Sequence, residues 1–396
     1  MPASEHGAVG LGWIGRPLSA LETSAILFVG VYGIMFAGVG PLLLGALERT
    51  GRLTAPQIGQ AGMIELLTMG IAAGLTGTIL GTRHLKALTI CCGLAMALLN
   101  VATARYSGTT LVVLRGLAGI PSGALIWLMT AMIVRMPRPE RWAAIYFTVQ
   151  TLAQFLVTAA LGAWIMRPYG PDGGFMLLAA MGVVSALVGL AVPAALEALP
   201  KSETHSSGRP SRRGLAALCA AFCFNAAIFA VWIYVEPLSR QAGNAASVAE
   251  IALSVSLAAQ VVGGVVATLV AGRIRWFAAL IASQAGMIAL MAVFARLPGA
   301  TLFIASSAVL GGLWMFSAPM LTPLAIEADP TRRAAAMGAG AALLGCSAGP
   351  LAASLIVSDT SVVGSAWLGA GLMVVALGLV VILHLTGGGP LRTEMP

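Results

Sequence analysis

Residues 197–213, EALPKSETHSSGRPSRR, form the longest polar stretch of the chain and fall near its middle. Serine, glycine, proline and charge without apolar periodicity read as a flexible, solvated linker. On either side the sequence is a succession of apolar runs. Six precede the linker, at about 21–46, 57–80, 87–105, 108–134, 142–166 and 174–196. Six follow it, at about 214–238, 246–270, 276–295, 299–325, 334–357 and 364–386. A bilayer-crossing helix needs about 20 apolar residues, so each run is long enough to cross once. The expected fold is an all-α integral membrane protein of twelve transmembrane helices, arranged as two six-helix bundles at 1–196 and 214–396 with a cytoplasmic linker at 197–213.

Composition excludes other classes. The chain is 59% hydrophobic and 9% charged, with a mean hydropathy of +0.94. A soluble domain carries about a quarter charged residues, so this chain could not cover a globular surface with polar groups. The net charge of +8 invites a nucleic-acid partner, but the basic residues stand singly or in pairs between apolar runs, where topology signals belong. Nucleic acid is therefore excluded. The five cysteines lie inside apolar runs with no CxxC pair and the four histidines are far apart, so neither a metal site nor a disulfide framework is expected. No phosphate-cradling loop is present, so no ATP and no cofactor are expected. The first twenty residues do not read as a cleaved signal peptide. Placing the N-terminus inside puts fifteen Lys and Arg on the cytoplasmic side against six on the other, with Arg115 left inside a run. The expected location is the inner (plasma) membrane, multi-pass, with both termini cytoplasmic.

The halves repeat weakly. PERWAA at 139–144 and PTRRAA at 330–335 are offset by 191 residues, and Arg83 and Arg273 repeat that spacing within a residue.

Charges inside a span cost about 2.5–3.5 kcal/mol each on insertion scales, so they are read first. Two lie well inside: Glu65 in span two and Arg115 in span four. Both spans start at the same side, and at about 1.5 Å per residue both residues sit roughly 10–12 Å from it. They are candidates for a proton-coupling pair or for a pair that only fixes helix packing. A neighbouring cation and burial act oppositely on a carboxyl group, so relative movement of such a pair would switch its protonation. Glu22, Glu236 and Glu250 lie at span ends and read as caps or snorkelling residues. The amides Gln150, Gln154, Asn225 and Gln260 lie within spans, the first two one turn apart on one face. They either bond between helices or line a solute cavity. The deeper aromatics Tyr32, Trp232, Tyr234 and Trp314 are further cavity candidates beside ordinary packing.

Gly345-Cys346-Ser347-Ala348-Gly349 matches G-x-S-x-G, with Asp359 and His384 following in hydrolase order. Ser347 is mid-span and His384 near a span end, a depth difference of roughly 15 Å, so the segment reads instead as a bend before Pro350. Gly70, Gly74, Gly77 and Gly81 in span two, and Gly116, Gly119 and Gly123 in span four, permit close helix approach.

Twelve spans as six plus six, a polar central linker and internal termini resemble the major facilitator superfamily. The local support is Arg115-Gly116-Leu117-Ala118-Gly119 with Pro121 and Gly123, similar to the family's fourth-helix motif. The resemblance implies that Arg115 takes part in proton coupling. The segment from Gly77 to Lys86 keeps Gly77, Arg83 and Lys86 of the family's gating loop but lacks its aspartate. The Gly-Pro signature of antiporters is absent from span five, and the acidic helix-one motif of aromatic-acid symporters is missing. The expected activity is secondary active transport of a small organic solute, neutral or anionic, by alternating access with protons as the coupling ion. A multidrug or metabolite efflux antiporter, and a non-transporting sensor or subunit with the same fold, are the alternatives.

Overall fold

The computed structural model describes residues 16–137, 139–197, 210–270, 273–329 and 333–386, so most of the central polar stretch lies outside the described residues. The described chain is helical: α1 (Ala20–Gly33), α2 (Met35–Arg49), α3 (Ala55–Ile79), α4 (Leu85–Thr103), α5 (Gly108–Ile133), α6 (Pro139–Ala160), α7 (Met166–Val188), α8 (Arg212–Trp232), α9 (Val235–Gln241), α10 (Ala246–Val270), α11 (Trp276–Ala295), α12 (Ala300–Ser317), α13 (Leu321–Ala328), α14 (Arg333–Ser354) and α15 (Val363–Thr386). Eleven stretches among the described residues are long and apolar enough to cross a membrane. One of them, Arg141–Ala191, has twice the necessary length and reverses at Gly170, where φ is 60° and ψ is −160°. That backbone region is open essentially only to glycine. Counting that stretch as two crossings gives twelve.

Local chemistry sets the ends. Ser19 with Glu22 and Thr54 with Gln57 form capping boxes at α1 and α3, and Ser211 caps α8. The first and seventh crossings are each interrupted, at Ile34 between α1 and α2 and at Ile233–Tyr234 between α8 and α9. Pro41 lies beyond the first break and removes the helix hydrogen bond to Ala37 O, while Pro237 stands in the first turn of α9, where a missing N–H costs no helix bond.

Loop contacts define two ends of the molecule. At the end holding Arg16 and Thr386, Arg83 pairs with Ala195, Arg135 donates to Glu197 O at 2.8 Å, and Ser211 donates to Ala328 O. Burial lowers the pKa of Arg135 from its ordinary value, and its remaining bond goes to Ala131 O. At the opposite, distal end Arg52 ties Asp172 to the carbonyls of Thr103 and Tyr106, while Asn244 reaches Pro298 O.

Helices α1–α7 pack mainly on one another, as do α8–α15; the halves are joined chiefly by α3 with α14 and α6 with α10, with smaller contacts of α2 with α9 and with α10. The close approaches are made by glycine. Within the first half, Gly116, Gly119 and Gly123 of α5 lie against α3, where an added Cβ at Gly116 would meet Ile64 at 2.8 Å. Within the second, Gly345 and Gly349 of α14 lie on the backbone of α8 at Phe222 and Ala226.

Between the halves the contact fades toward the termini. Gly59 on α3 abuts Tyr234, Pro350 and Ser354, whereas at Gly70, three turns on, an added Cβ would come no nearer than 3.8 Å to Leu343. At Gly74 an added Cβ would meet nothing within 4 Å, nor would one at Gly338 or Gly340 on α14. Ile71, Leu75, Ile79 and Met337 are exposed there. The two bundles are thus closed at the distal end and splayed along α3 and α14 at the end that holds Arg16 and Thr386.

Candidate functional site

The deepest charges meet. The glycine face of α5 brings α3 so close that Arg115 and Glu65 form a bidentate pair, Nε to Oε2 at 2.8 Å and Nη2 to Oε1. Nη1 donates to Asn100 Oδ1 at 2.9 Å and approaches Thr103 Oγ1, both on α4. Phe36 of α2 covers the guanidinium at 4.1 Å, with Phe175 of α7 at 5.6 Å. Arg115 is 1% exposed and Glu65 2%, so the pair is sealed inside the first bundle rather than open to the space between bundles. Such a pair draws its strength from complete hydrogen bonding and from low dielectric.

The sequence reading passed over Asn100. It is an amide within an apolar run and shares the depth of Arg115; the rule that selected the other four amides would have found it. Gln284 was passed over as well: it is fully buried in α11, and neither amide atom has a partner.

The amides chosen from sequence separate into two groups. Gln154 donates to Ile34 O at 2.9 Å, at the break of the first crossing, and Asn225 donates within its own helix to Ala221 O. Gln150 Oε1 and Gln260 Nε2 are buried without a hydrogen-bond partner. The aromatics divide similarly. Tyr32 donates to Leu178 O and Tyr234 to Ala55 O, each enclosed in this conformation. Trp314 is half-buried and meets Phe229 at 5.5 Å and Trp232 at 6.1 Å, edge to face.

Trp232 also joins the bundles. Pro41 has no N–H to offer Ala37 O, and the Trp232 indole donates to that carbonyl at 3.0 Å. Further toward the distal end Arg49 pairs with Glu236 at 3.3 Å and Arg240 with Glu48, two ion pairs that cross the interface in opposite directions. Asp359 accepts from Ala55 N at 2.7 Å, so the second bundle caps the first turn of α3. Glu236, expected to be a cap or a snorkelling group, is instead 2% exposed and faces Gly45 across the interface. Linear depth cannot show that α9 presses on α2.

The expected gating-loop residues lie at the open end. Gly77 leaves room for Trp127 of α5, Arg83 is in the short bridge to Ala195, and Lys86 is exposed. The hydrolase-like residues are apart: Ser347 bonds Leu344 O within its helix, Asp359 is in a distal loop, and His384 stacks on Phe277 near the opposite end. Among the described residues no cluster of three or more His, Cys, Asp or Glu could hold a metal ion.

The sequence matches the family model described as Major Facilitator Superfamily over residues 23–345. Among solved structures, nucleoside transporter NupG superposes with a TM-score of 0.67 at 13% identity, covering 92% of this chain and 99% of that one. A bacterial homologue of the human lysosomal transporter Spinster, in an inward-facing and occupied conformation, gives 0.66 at 12% identity, covering 96% and 99%. At such identities the likeness is one of fold. No curated protein matches the sequence.

Proposed function

The chain belongs to the Major Facilitator Superfamily, and from that premise we propose that it is a secondary active transporter, carrying a small organic solute across the inner (plasma) membrane by alternating access with protons as the coupling ion. The observation that carries the reading is the pair of bundles, closed distally by cross-bundle bonds and splayed at the other end. With both termini cytoplasmic this is the inward-open state, and 1–196 and 214–396 are the two bodies that rock.

The Glu65–Arg115 pair is placed to couple protons to that rocking. A proton on Glu65 removes the charge that holds the Arg115 guanidinium. The cation rests on Phe36, two residues past the break at Ile34 and next to Ala37, whose carbonyl holds Trp232 of the other bundle. A change in the pair is therefore felt by the helix that locks the distal end. The route is a short mechanical one, and no nucleotide enters it.

Uptake into proteoliposomes under an imposed proton gradient, over a panel of organic acids, neutral solutes and hydrophobic drugs, tests the reading. The expected result is gradient-driven movement that is lost in Glu65→Gln. Full gradient dependence surviving in Glu65→Gln refutes coupling through this carboxylate, and absence of movement for every solute refutes transport.

A further inference from the structure

Gln150 and Gln260 lie on α6 and α10, one of the helix pairs that join the bundles. Gln150 is eleven residues from the open end of α6 and Gln260 ten residues from that of α10, so at about 1.5 Å per residue both stand roughly 15–17 Å in. The register agrees independently. Just past the distal end of α6, an added Cβ at Gly162 would meet Glu250 of α10 at 3.1 Å; twelve residues back from the one and ten on from the other, at about 1.5 Å each, Gln150 and Gln260 come to depths within about 3 Å of each other. Gln260 shares the buried face of α10 with Leu253 and Ser256, opposite the exposed Val255, Val262 and Leu269. Gln150 lies one turn from Gln154, on the face of α6 that meets α2.

A buried polar atom without a partner costs about 1–3 kcal/mol, and here one bundle offers an idle acceptor, Gln150 Oε1, and the other an idle donor, Gln260 Nε2. Gln154 shows what a structural amide does in the same place: it bonds a helix carbonyl. Trp314 is two residues beyond Gly312, whose backbone lies against Gly263, one turn from Gln260. Its ring meets those of Phe229 and Trp232 edge to face, an apolar aromatic cluster that begins on the helix packed against α10. The Arg115 charge is already matched by Glu65 and enclosed, so it gives no reason to expect an anionic solute.

Resting on the transport reading above, we propose that Gln150 and Gln260 form a split amide clamp for a neutral solute that presents an N–H and a C=O side by side, a carboxamide, lactam or imide on a flat or apolar body. The solute N–H donates to Gln150 Oε1, and its carbonyl accepts from Gln260 Nε2. Because the two halves of the clamp belong to different bundles, solute bridges them at the depth where they pivot.

The test uses the full-length protein in detergent, with thermal unfolding as the binding readout. Nicotinamide, 2-pyrrolidone and hydantoin are the probes; N,N-dimethylnicotinamide, 1-methyl-2-pyrrolidone and the isosteric acid nicotinate are their controls. At least one amide probe is expected to raise the melting temperature, with N-methylated and acid counterparts at least tenfold weaker. Gln150→Leu and Gln260→Leu each weaken that probe tenfold or more, yet melt unliganded at or above the wild type, because each removes a polar group that had no partner. A lower unliganded melting temperature in both variants, equal binding of the controls, or amide binding untouched by leucine overturns the clamp. Counterflow in proteoliposomes separates the two ideas. Movement of solutes without an amide edge, unaffected by the leucine variants, removes the clamp and leaves transport standing; no movement of any solute removes both.

Discussion

Arg115 cannot shed its charge, and it sits 1% exposed with its guanidinium spent on Glu65, Asn100 and the ring of Phe36. Glu65→Gln keeps the shape of the partner but leaves an uncompensated buried cation. Removing one member of a buried ion pair costs about 3–5 kcal/mol. Arg115→Met is expected to be milder, because a lone carboxyl can take up a proton and become neutral. Replacing both, as Glu65→Gln with Arg115→Met, leaves no charge, and neutral replacements of buried pairs of similar volume are often close to the parent in stability. The three variants therefore form a cycle whose interaction energy is at least the about 3–5 kcal/mol lost in Glu65→Gln alone. Thermal unfolding in detergent gives the order: wild type and double variant highest, Arg115→Met below them, Glu65→Gln lowest. Gradient-driven uptake is lost in all three, so stability is rescued in the double variant without function. Additive losses, with the double variant lowest, would refute the claim that these two charges depend on each other.

The remaining expectations follow from the helix contacts. Gly119→Val drives a branched side chain into the backbone of α3 at Glu65 and Met69 and is expected to lower stability by about 2–3 kcal/mol, whereas Gly74→Ala, facing open space, stays within about 0.5 kcal/mol; melting temperatures decide both. Trp232→Phe keeps the ring but loses the bond to Ala37 O, about 1 kcal/mol of distal closure, which reads as faster labelling of an Ala55→Cys probe by an impermeant maleimide. Glu48→Gln with Glu236→Gln removes both crossing ion pairs; since Arg49 and Arg240 are about a third exposed, the loss is about 1–2 kcal/mol, again seen as increased labelling at position 55. Unchanged labelling in both would mean these bonds do not hold the distal end shut.

Much of the fold was legible because membrane crossing is written in composition. Span nine, expected at 276–295, is α11 at Trp276–Ala295, and span eight matches α10 to the residue. The equal depth of Glu65 and Arg115 was legible too, since both spans start from one side and a helix converts residue number into depth. Depth alone does not give azimuth or neighbours. That is why Glu236 read as an end cap, why the breaks at Ile34 and Tyr234 were not foreseen, and why Pro41 could not be linked to Trp232, 191 positions later. Span six was expected from 174, but the chain re-enters the helix directly after Gly170, so Phe175 packs deep enough to reach the Arg115 cation. Which amides are spent and which are idle depends on partners from other helices. Sequence spacing cannot rank Gln154 against Gln150.

The measurement that bears most directly on the account is a pair of spin-label distances followed through the transport cycle in a cysteine-free background. One pair, Leu80→Cys with Met337→Cys, spans the open end, where both residues are exposed; the other, Tyr106→Cys with Thr360→Cys, spans the distal end. Rocking bundles predict reciprocal changes when a transported solute and protons are added: the first distance shortens as the second lengthens. Glu65→Gln should hold both at one value. Distances that stay fixed under every condition in which the wild type moves solute would contradict alternating access by these two bundles.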